Sequence, residues 1–314
     1  MKVVALAGGV GGAKLVHGLA MVLPPDDLSI VVNTGDDFEY LGLYICPDLD
    51  TVCYTLAEIA NPKTGWGRDD ESWVTFNEIA VVGGPGWFRL GDKDLATHLI
   101  RTAQLIDGRK LSEITKEFCG IWGIKHTVYP MSEEPVRTMV HTINGDILGF
   151  QEYFVHQKCK PVVDHFEFRG IEAARPTPKV LEAIKACDLV VFAPSNPWVS
   201  IDPILAIPGY RDAISQKPVI AVSPLIGGKA IKGPAAKIYQ ELGIQPCASA
   251  VAKHYQDLLT GFIIDNSDRA ELEKIERWRI IALVTDILMK NNQDRLRLAK
   301  DVLQFGETIL NRSR

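Results

Sequence analysis

The chain has 314 residues, 46% of them hydrophobic and 23% charged, with a net charge of −5. That balance excludes wholesale disorder and collagen-like repetition, and a chain of this length buries a full core without staples. Its acidity argues against a general nucleic-acid binder, and no apolar run reaches the ~18 residues of a membrane span.

Residues 3–7 are a short apolar run ending in glycines, which suits a buried parallel strand. The spacing of Leu15, Leu19, Val22 and Leu23 predicts a helix over 14–23, and residues 28–33 read as the next strand. This opening is half of a doubly wound α/β unit. Helices are predicted over 51–60 and 95–106, with a loop-rich stretch at 61–71 between them. Asn144-Gly145 lies between two β-rich runs and signals a hairpin. Strands are then expected at 188–193, 218–223, 261–265 and 280–284, followed by an amphipathic helix over 294–310. The expected architecture is a Rossmann-like, three-layer, doubly wound α/β fold with a mainly parallel sheet. It forms one domain over 1–314, with an inserted subdomain at roughly 108–180 that contains the hairpin.

Charge is uneven along this layout. Residues 1–100 carry 14 Asp and Glu against 6 Lys and Arg. The six cysteines form no C-x-x-C pair, which disfavours a zinc ribbon and fits a reducing compartment; a cytoplasmic location is expected. The N-terminal apolar run is too short and glycine-rich for a signal peptide.

The first motif is Gly8-Gly9-Val10-Gly11-Gly12-Ala13-Lys14, between a strand and a helix. Glycines let the backbone approach a phosphate, and a helix N-terminus favours an anion. Gly8, Gly9, Gly11, Gly12 and Lys14 are therefore candidate phosphate binders; a tight structural turn is the bland alternative. The pattern is neither a dinucleotide fingerprint, which needs glycine at 14 and an acid at 33, nor a P-loop. The second and third motifs are Asn33-Thr34-Gly35-Asp36-Asp37 and Cys46-Pro47-Asp48-Leu49-Asp50-Thr51. Their carboxylates suit Mg²⁺ or a substrate hydroxyl, with Asp36 and Asp50 the candidate metal ligands. Turn chemistry at Asp36 and Asp37 and a helix N-cap at Asp50 are the structural alternatives. The fourth, residues 87–98, offers Trp87 and Arg89 for a planar ring, with Asp92 and His98 nearby. The fifth is Ala193-Pro194-Ser195-Asn196-Pro197, echoed by the stretch beginning at Ser223. Ser195, Asn196 and Ser223 are candidates for a nucleotide, and equally good turn formers.

Taken together, AGGVGGAK at 7–14, VVNTGDD at 31–37, CPDLDTVCYTL at 46–56, RLGDKDLATHLIRT at 89–102, APSNPWVSIDPIL at 193–205 and VSPLIGGKAIKGPA at 222–235 resemble one family. It is the 2-phospho-L-lactate transferases (the CofD family) of deazaflavin coenzyme F-420 biosynthesis. The resemblance implies transfer of a phospho-three-carbon acid from a guanosine-diphosphate-linked donor to the deazaflavin 7,8-didemethyl-8-hydroxy-5-deazariboflavin, with GMP leaving; the carboxylate chemistry above makes Mg²⁺ the expected cofactor. It further implies that Asp50 and Arg89 contact the deazaflavin, and it makes a homodimer the expected assembly. On the residue chemistry, Asp50, Asp36 and Asp37 are the candidate catalytic acids. Two other readings stay open: a nucleotide-sugar-binding regulator on a related fold, and a nicotinamide dehydrogenase, which Lys14 and Asn33 disfavour.

Overall fold

The computed structural model describes residues 1–230 and 233–312, so positions 231–232 of the last motif lie outside the described residues. Five consecutive buried apolar residues, Val3–Ala7, form strand β1. Continuous burial of this kind requires cover on both faces. Helix α1 (Gly9–Val22) and strand β2 (Leu28–Val32) complete the opening unit. A short hairpin of β3 (Phe38–Tyr40) and β4 (Leu43–Ile45) leads into α2 (Pro47–Leu56), with Pro47 in the first turn, where its missing N–H costs nothing. Helices α3 (Val74–Val81), α4 (Asp92–Ile106) and α5 (Leu111–Ile121) precede β5 (Thr127–Pro130).

Strands β6 (Arg137–Thr142), β7 (Ile147–Gly149) and β8 (Val163–Arg169) form a separate antiparallel sheet in the order β7-β6-β8. The β6–β7 turn holds Gly145 at φ 90°, the left-handed conformation that glycine tolerates. The chain then returns with β9 (Leu189–Phe192), β10 (Val219–Val222), the small hairpin β11 (Leu225–Ile226) and β12 (Lys229–Ala230), β13 (Gly261–Asp265) and β14 (Ile281–Thr285). It ends in the helix Asn292–Arg312.

The main sheet has seven strands in the order β14-β13-β10-β9-β1-β2-β5, and every pairing in it is parallel. Strand alternation divides the core. Val4 and Leu6 pack on one face with Val190 and Phe192. Val3, Ala5 and Ala7 pack on the other against Leu15 and Leu19 of α1 and Leu298 and Val302 of the last helix. The result is the expected three-layer, Rossmann-like fold. β9 is the central strand and β1 lies beside it, between β9 and β2. Loops leaving β1 and β9 diverge there, opening a crevice at the carboxyl ends of the strands.

Some boundaries differ from the sequence reading. α1 starts at Gly9, not at 14, so the glycine turn is the helix's first turn. α2 starts at Pro47, not at 51, so Cys46 is its N-cap and Asp50 lies inside the helix. The N-cap alternative for Asp50 is thereby excluded. β5 falls within the 108–180 window yet joins the parallel sheet. The β3–β4 hairpin and α3 had no distinct sequence signal.

Candidate active site

The glycine turn is shaped by close neighbours. A Cβ on Gly11 would lie 2.4 Å from the Pro194 carbonyl oxygen, and one on Gly12 would lie 2.6 Å from Ser195 Oγ. Gly9 has φ 62°. The turn after β1 is therefore locked against the turn after β9: Gly8 N–H donates to Ser195 Oγ at 3.2 Å, and Ser195 Oγ donates back to the Gly8 carbonyl at 2.8 Å. Lys14 Nζ donates to the Met289 carbonyl at 2.8 Å, which ties this turn to the loop after β14.

Three buried acids lie beside it. Asp48, in the first turn of α2, accepts from Gly9 N–H at 2.8 Å and from Asn33 Nδ2 at 2.9 Å. Asn33 also donates to the Val199 carbonyl at 3.0 Å, so the residue standing in place of a ribose-binding acid is a structural tie. Burial pushes the Asp48 carboxyl up to about 6, against the Asn33 and Gly9 hydrogen bonds that pull it down. Burial, then the charges of Asp48 and Asp37, hold Asp36 well above the usual carboxylate range. Burial raises Asp37 to about 7, with the nearby Arg137 opposing. Asp36 Oδ1 and both Asp37 oxygens are buried with no partner in hydrogen-bond geometry among the described residues. Such groups are costly to bury uncompensated and are frequent at functional sites.

A second acidic group joins α2 to α4. Asp50 receives both terminal nitrogens of Arg101, Nη1 at 3.0 Å to Oδ2 and Nη2 to Oδ1. Arg101 is only 2% exposed. Burial pulls its pKa down most strongly of any single cause, but the Asp50 charge and hydrogen bond, together with Cys46 and Tyr54, outweigh it and hold the guanidinium firmly charged. Arg101 Nη1 also lies 3.3 Å from His98 Nδ1. Because a guanidinium only donates, Nδ1 is the acceptor and the ring proton sits on Nε2. That Nε2 faces Asp94 Oδ1 at 3.4 Å, and Tyr54 donates to the same oxygen at 2.7 Å. Burial raises Asp94, but the contacts with His98 and Tyr54 win and keep it below its usual value. Asp50, Asp94 and His98 each offer one ligand atom within 4.8 Å of the others, a grouping that could take a divalent cation once His98 gave up its Nε2 proton and Asp50 released one Arg101 contact.

These groups share one cavity of about 830 Å³. Gly8, Gly9, Gly11, Lys14, Ser195, Asn196 and Ser223 line it together with Asp36, Asp48, Asp50, Trp87, Arg89, Asp94 and His98. Arg89 is exposed and stacks over Trp73, 4.4 Å from its ring centre. Trp87 stacks on His156 at 5.1 Å. Three candidates stand elsewhere. Gly12 packs beneath the turn, and Asp37 is buried behind the lining. Asp92 instead accepts from the Val74 and Thr75 amides, both at 3.0 Å, which holds the start of α3.

Several lining groups had no assigned role in the sequence reading: Asp48, Asp94, Trp66, Phe150 and Phe154, and the loop 287–290. Arg101, which lies behind Asp50, had none either. Asp48, Asp94 and Arg101 fall within the quoted motifs. The 287–290 loop carries no local pattern and is brought in only by the sheet topology.

The fold is that of an α/β protein with a cavity lined by the loops at the topological switch point of its parallel sheet. The chain belongs to the family of 2-phospho-L-lactate transferase CofD, whose model matches residues 3–300. It is 40% identical to a phosphoenolpyruvate transferase of Streptomyces griseus, over 98% of this chain and 99% of that one. It is 38% identical to a 2-phospho-L-lactate transferase of Methanosarcina mazei, over 95% and 98%. A crystal structure of a UPF0052-family protein from Bacillus halodurans superposes with a TM-score of 0.63 over 96% of this chain and 98% of that one; at 14% identity it shows the shared fold alone. Among the described residues no helix is long and apolar enough to cross a membrane.

Proposed function

We propose that this chain transfers a phospho-three-carbon-acid group, 2-phospho-L-lactate or enolpyruvyl phosphate, from its guanosine-diphosphate-linked donor to 7,8-didemethyl-8-hydroxy-5-deazariboflavin. GMP leaves and the coenzyme F-420 core is formed. One observation carries the reading beyond family membership: the glycine turn and the Asp50 and Arg89 side chains open on the same cavity. Donor phosphates and a planar acceptor can therefore meet there. We read the chain as one transferase domain, cytoplasmic and homodimeric, with the β6–β8 sheet as its inserted part.

Phosphoryl transfer needs positioning and charge neutralisation more than a covalent nucleophile. The acceptor's ribityl hydroxyl oxygen bonds to the phosphorus that carries the acid. The bond from that phosphorus to the bridging oxygen breaks, and GMP departs with the electron pair. Asp50 accepts the hydroxyl's hydrogen bond and takes up its proton as the new bond forms. Trp87 and Arg89 hold the ring, while Ser195, Asn196 and Ser223 hold the nucleotide. Lys14 and the first turn of α1 face the phosphates.

Mg²⁺ is the cofactor we infer. The lining carries Asp36, Asp48, Asp50 and Asp94 against Lys14, Arg89 and Lys290, so a diphosphate entering it needs further positive charge. Asp36, with its unpartnered buried oxygen, fits a hard cation, whereas the Asp48 oxygens already accept from Gly9 and Asn33. Asp50 fits less well, because Arg101 already engages both of its oxygens. When bound, the ion would neutralise diphosphate charge and stabilise the leaving GMP. Titrating the protein with the deazaflavin tests the acceptor site: a saturable spectral shift is expected, whereas no shift together with tight UDP-sugar binding would support the regulator reading.

A further inference from the structure

The wall behind Asp50 is built from charge in an unusual way. Both Asp50 oxygens are engaged by one guanidinium, and that guanidinium has almost no access to solvent. A buried pair of this kind is weak evidence for stability, because desolvating both partners offsets most of their attraction. A two-pronged contact does, however, fix the plane of the carboxylate, which a point charge such as lysine cannot do. Arg101 is itself held: Nη1 meets His98 Nδ1, and the same nitrogen lies 3.5 Å from the Tyr44 carbonyl. Its guanidinium also lies 5.9 Å from the Phe118 ring centre. The guanidinium is thus locked from α4, α5 and β4 at once, while the Asp50 side chain it grips reaches the cavity.

We infer that Arg101 is a positioning residue for the transfer step: by gripping both Asp50 oxygens from behind, it aims the carboxylate at the acceptor hydroxyl. This rests on the transferase reading above. Arg101 itself touches no substrate and acts only through Asp50. Its contribution belongs to turnover, because Trp87 and Arg89, not Arg101, are the groups assigned above to the acceptor's ring. A misplacement of about 1 Å at a reacting group can cost about a hundredfold in rate, and a loss of that order is expected when the grip is removed.

The test uses Arg101→Ala and Arg101→Lys, with wild-type turnover and deazaflavin affinity measured first. Absence of wild-type turnover would count against the transferase reading and leave the wall's chemistry to be judged by binding. With an active wild type, Arg101→Ala should lose kcat by about a hundredfold while retaining deazaflavin affinity. Millimolar guanidinium, well below denaturing levels, should restore part of that loss, and methylammonium should not. If the alanine variant does not fold, Arg101→Lys carries the test, since it keeps the charge but offers one prong. It should fold, bind the deazaflavin and turn over slowly. Wild-type kcat in Arg101→Lys, or a folded Arg101→Ala that guanidinium does not rescue, would overturn the inference.

Discussion

The Gly9 amide donates to the Asp48 carboxylate across 2.8 Å, so the first turn of α1 is capped by an acid from α2. A glycine turn at a helix N-terminus is expected to offer its amides to a phosphate. Here one of them is already used to bring the acidic rim against the turn. Asp48 is therefore both a structural cap and a member of the cavity lining.

Asp48→Ala should destabilise the fold by about 1–3 kcal/mol, since it strands the Gly9 amide and one bond of Asn33. Asp48→Asn, whose side-chain oxygen still accepts, should lose less. Urea denaturation reads both. An alanine variant that unfolds at the wild-type midpoint would show that the cap contributes nothing.

Gly11→Ala should cost about 1–3 kcal/mol, because its methyl meets backbone rather than a movable side chain. The intruding contact is the Pro194 carbonyl at 2.4 Å. The variant should also bind GDP more weakly, as α1 is pushed off the β9 turn. Gly120→Ala in α5 is the control: a Cβ there meets nothing within 4 Å. It should be neutral or stabilise by up to about 1 kcal/mol. Equal melting temperatures for Gly11→Ala and wild type would contradict the close-packing argument.

His17 supplies a pH dependence remote from the cavity. Burial, then the Arg295 charge, depress its pKa below 6.5, while Glu58 pulls the other way. The unfolded chain therefore binds this proton more readily than the folded one. The contribution is complete above 6.5 and is lost as pH falls from there through the depressed folded value. Asp37 and Asp48, raised to about 7 and about 6, work in the opposite direction over the same interval, so the readout is the difference between two profiles: relative to wild type, the melting temperature of His17→Gln should lose a fall on the acid side. An unchanged profile in His17→Gln would assign the acid sensitivity to other groups.

Chelation should abolish turnover, and Mg²⁺ should restore it. Mg²⁺ with GDP should also raise the melting temperature, as any ligand of the folded state does; at a hundredfold excess over Kd the gain is about 2.7 kcal/mol. Asp36→Asn should retain the fold and need far more Mg²⁺ for half-maximal rate. Full activity in chelator would remove the metal from the mechanism.

Much of the fold was legible because its strands are continuous apolar runs: 3–7, 188–193 and 218–223 match β1, β9 and β10. α3 was not legible, since Val74 and Val81 are exposed and its start is held by Asp92 from a later segment. In the site, the glycine turn, Asp50 and Trp87 were marked by strand-end loops and acid-rich turns. Arg101 was not, although it lies three residues beyond His98. Nothing local separates a buried arginine from a solvated one; its meaning depends on α2 arriving opposite α4. The loop 287–290 was equally hidden, because it joins the site only through strand order.

The most direct measurement supplies the guanosine-diphosphate-linked phospholactate and phosphoenolpyruvate donors separately, with deazaflavin and Mg²⁺, and weighs the products. The expected result is GMP together with a deazaflavin phosphodiester whose mass carries the donor's three-carbon acid, the two donors differing by two hydrogens. Unaltered deazaflavin with both donors, from folded protein that binds it, would contradict the proposed transfer.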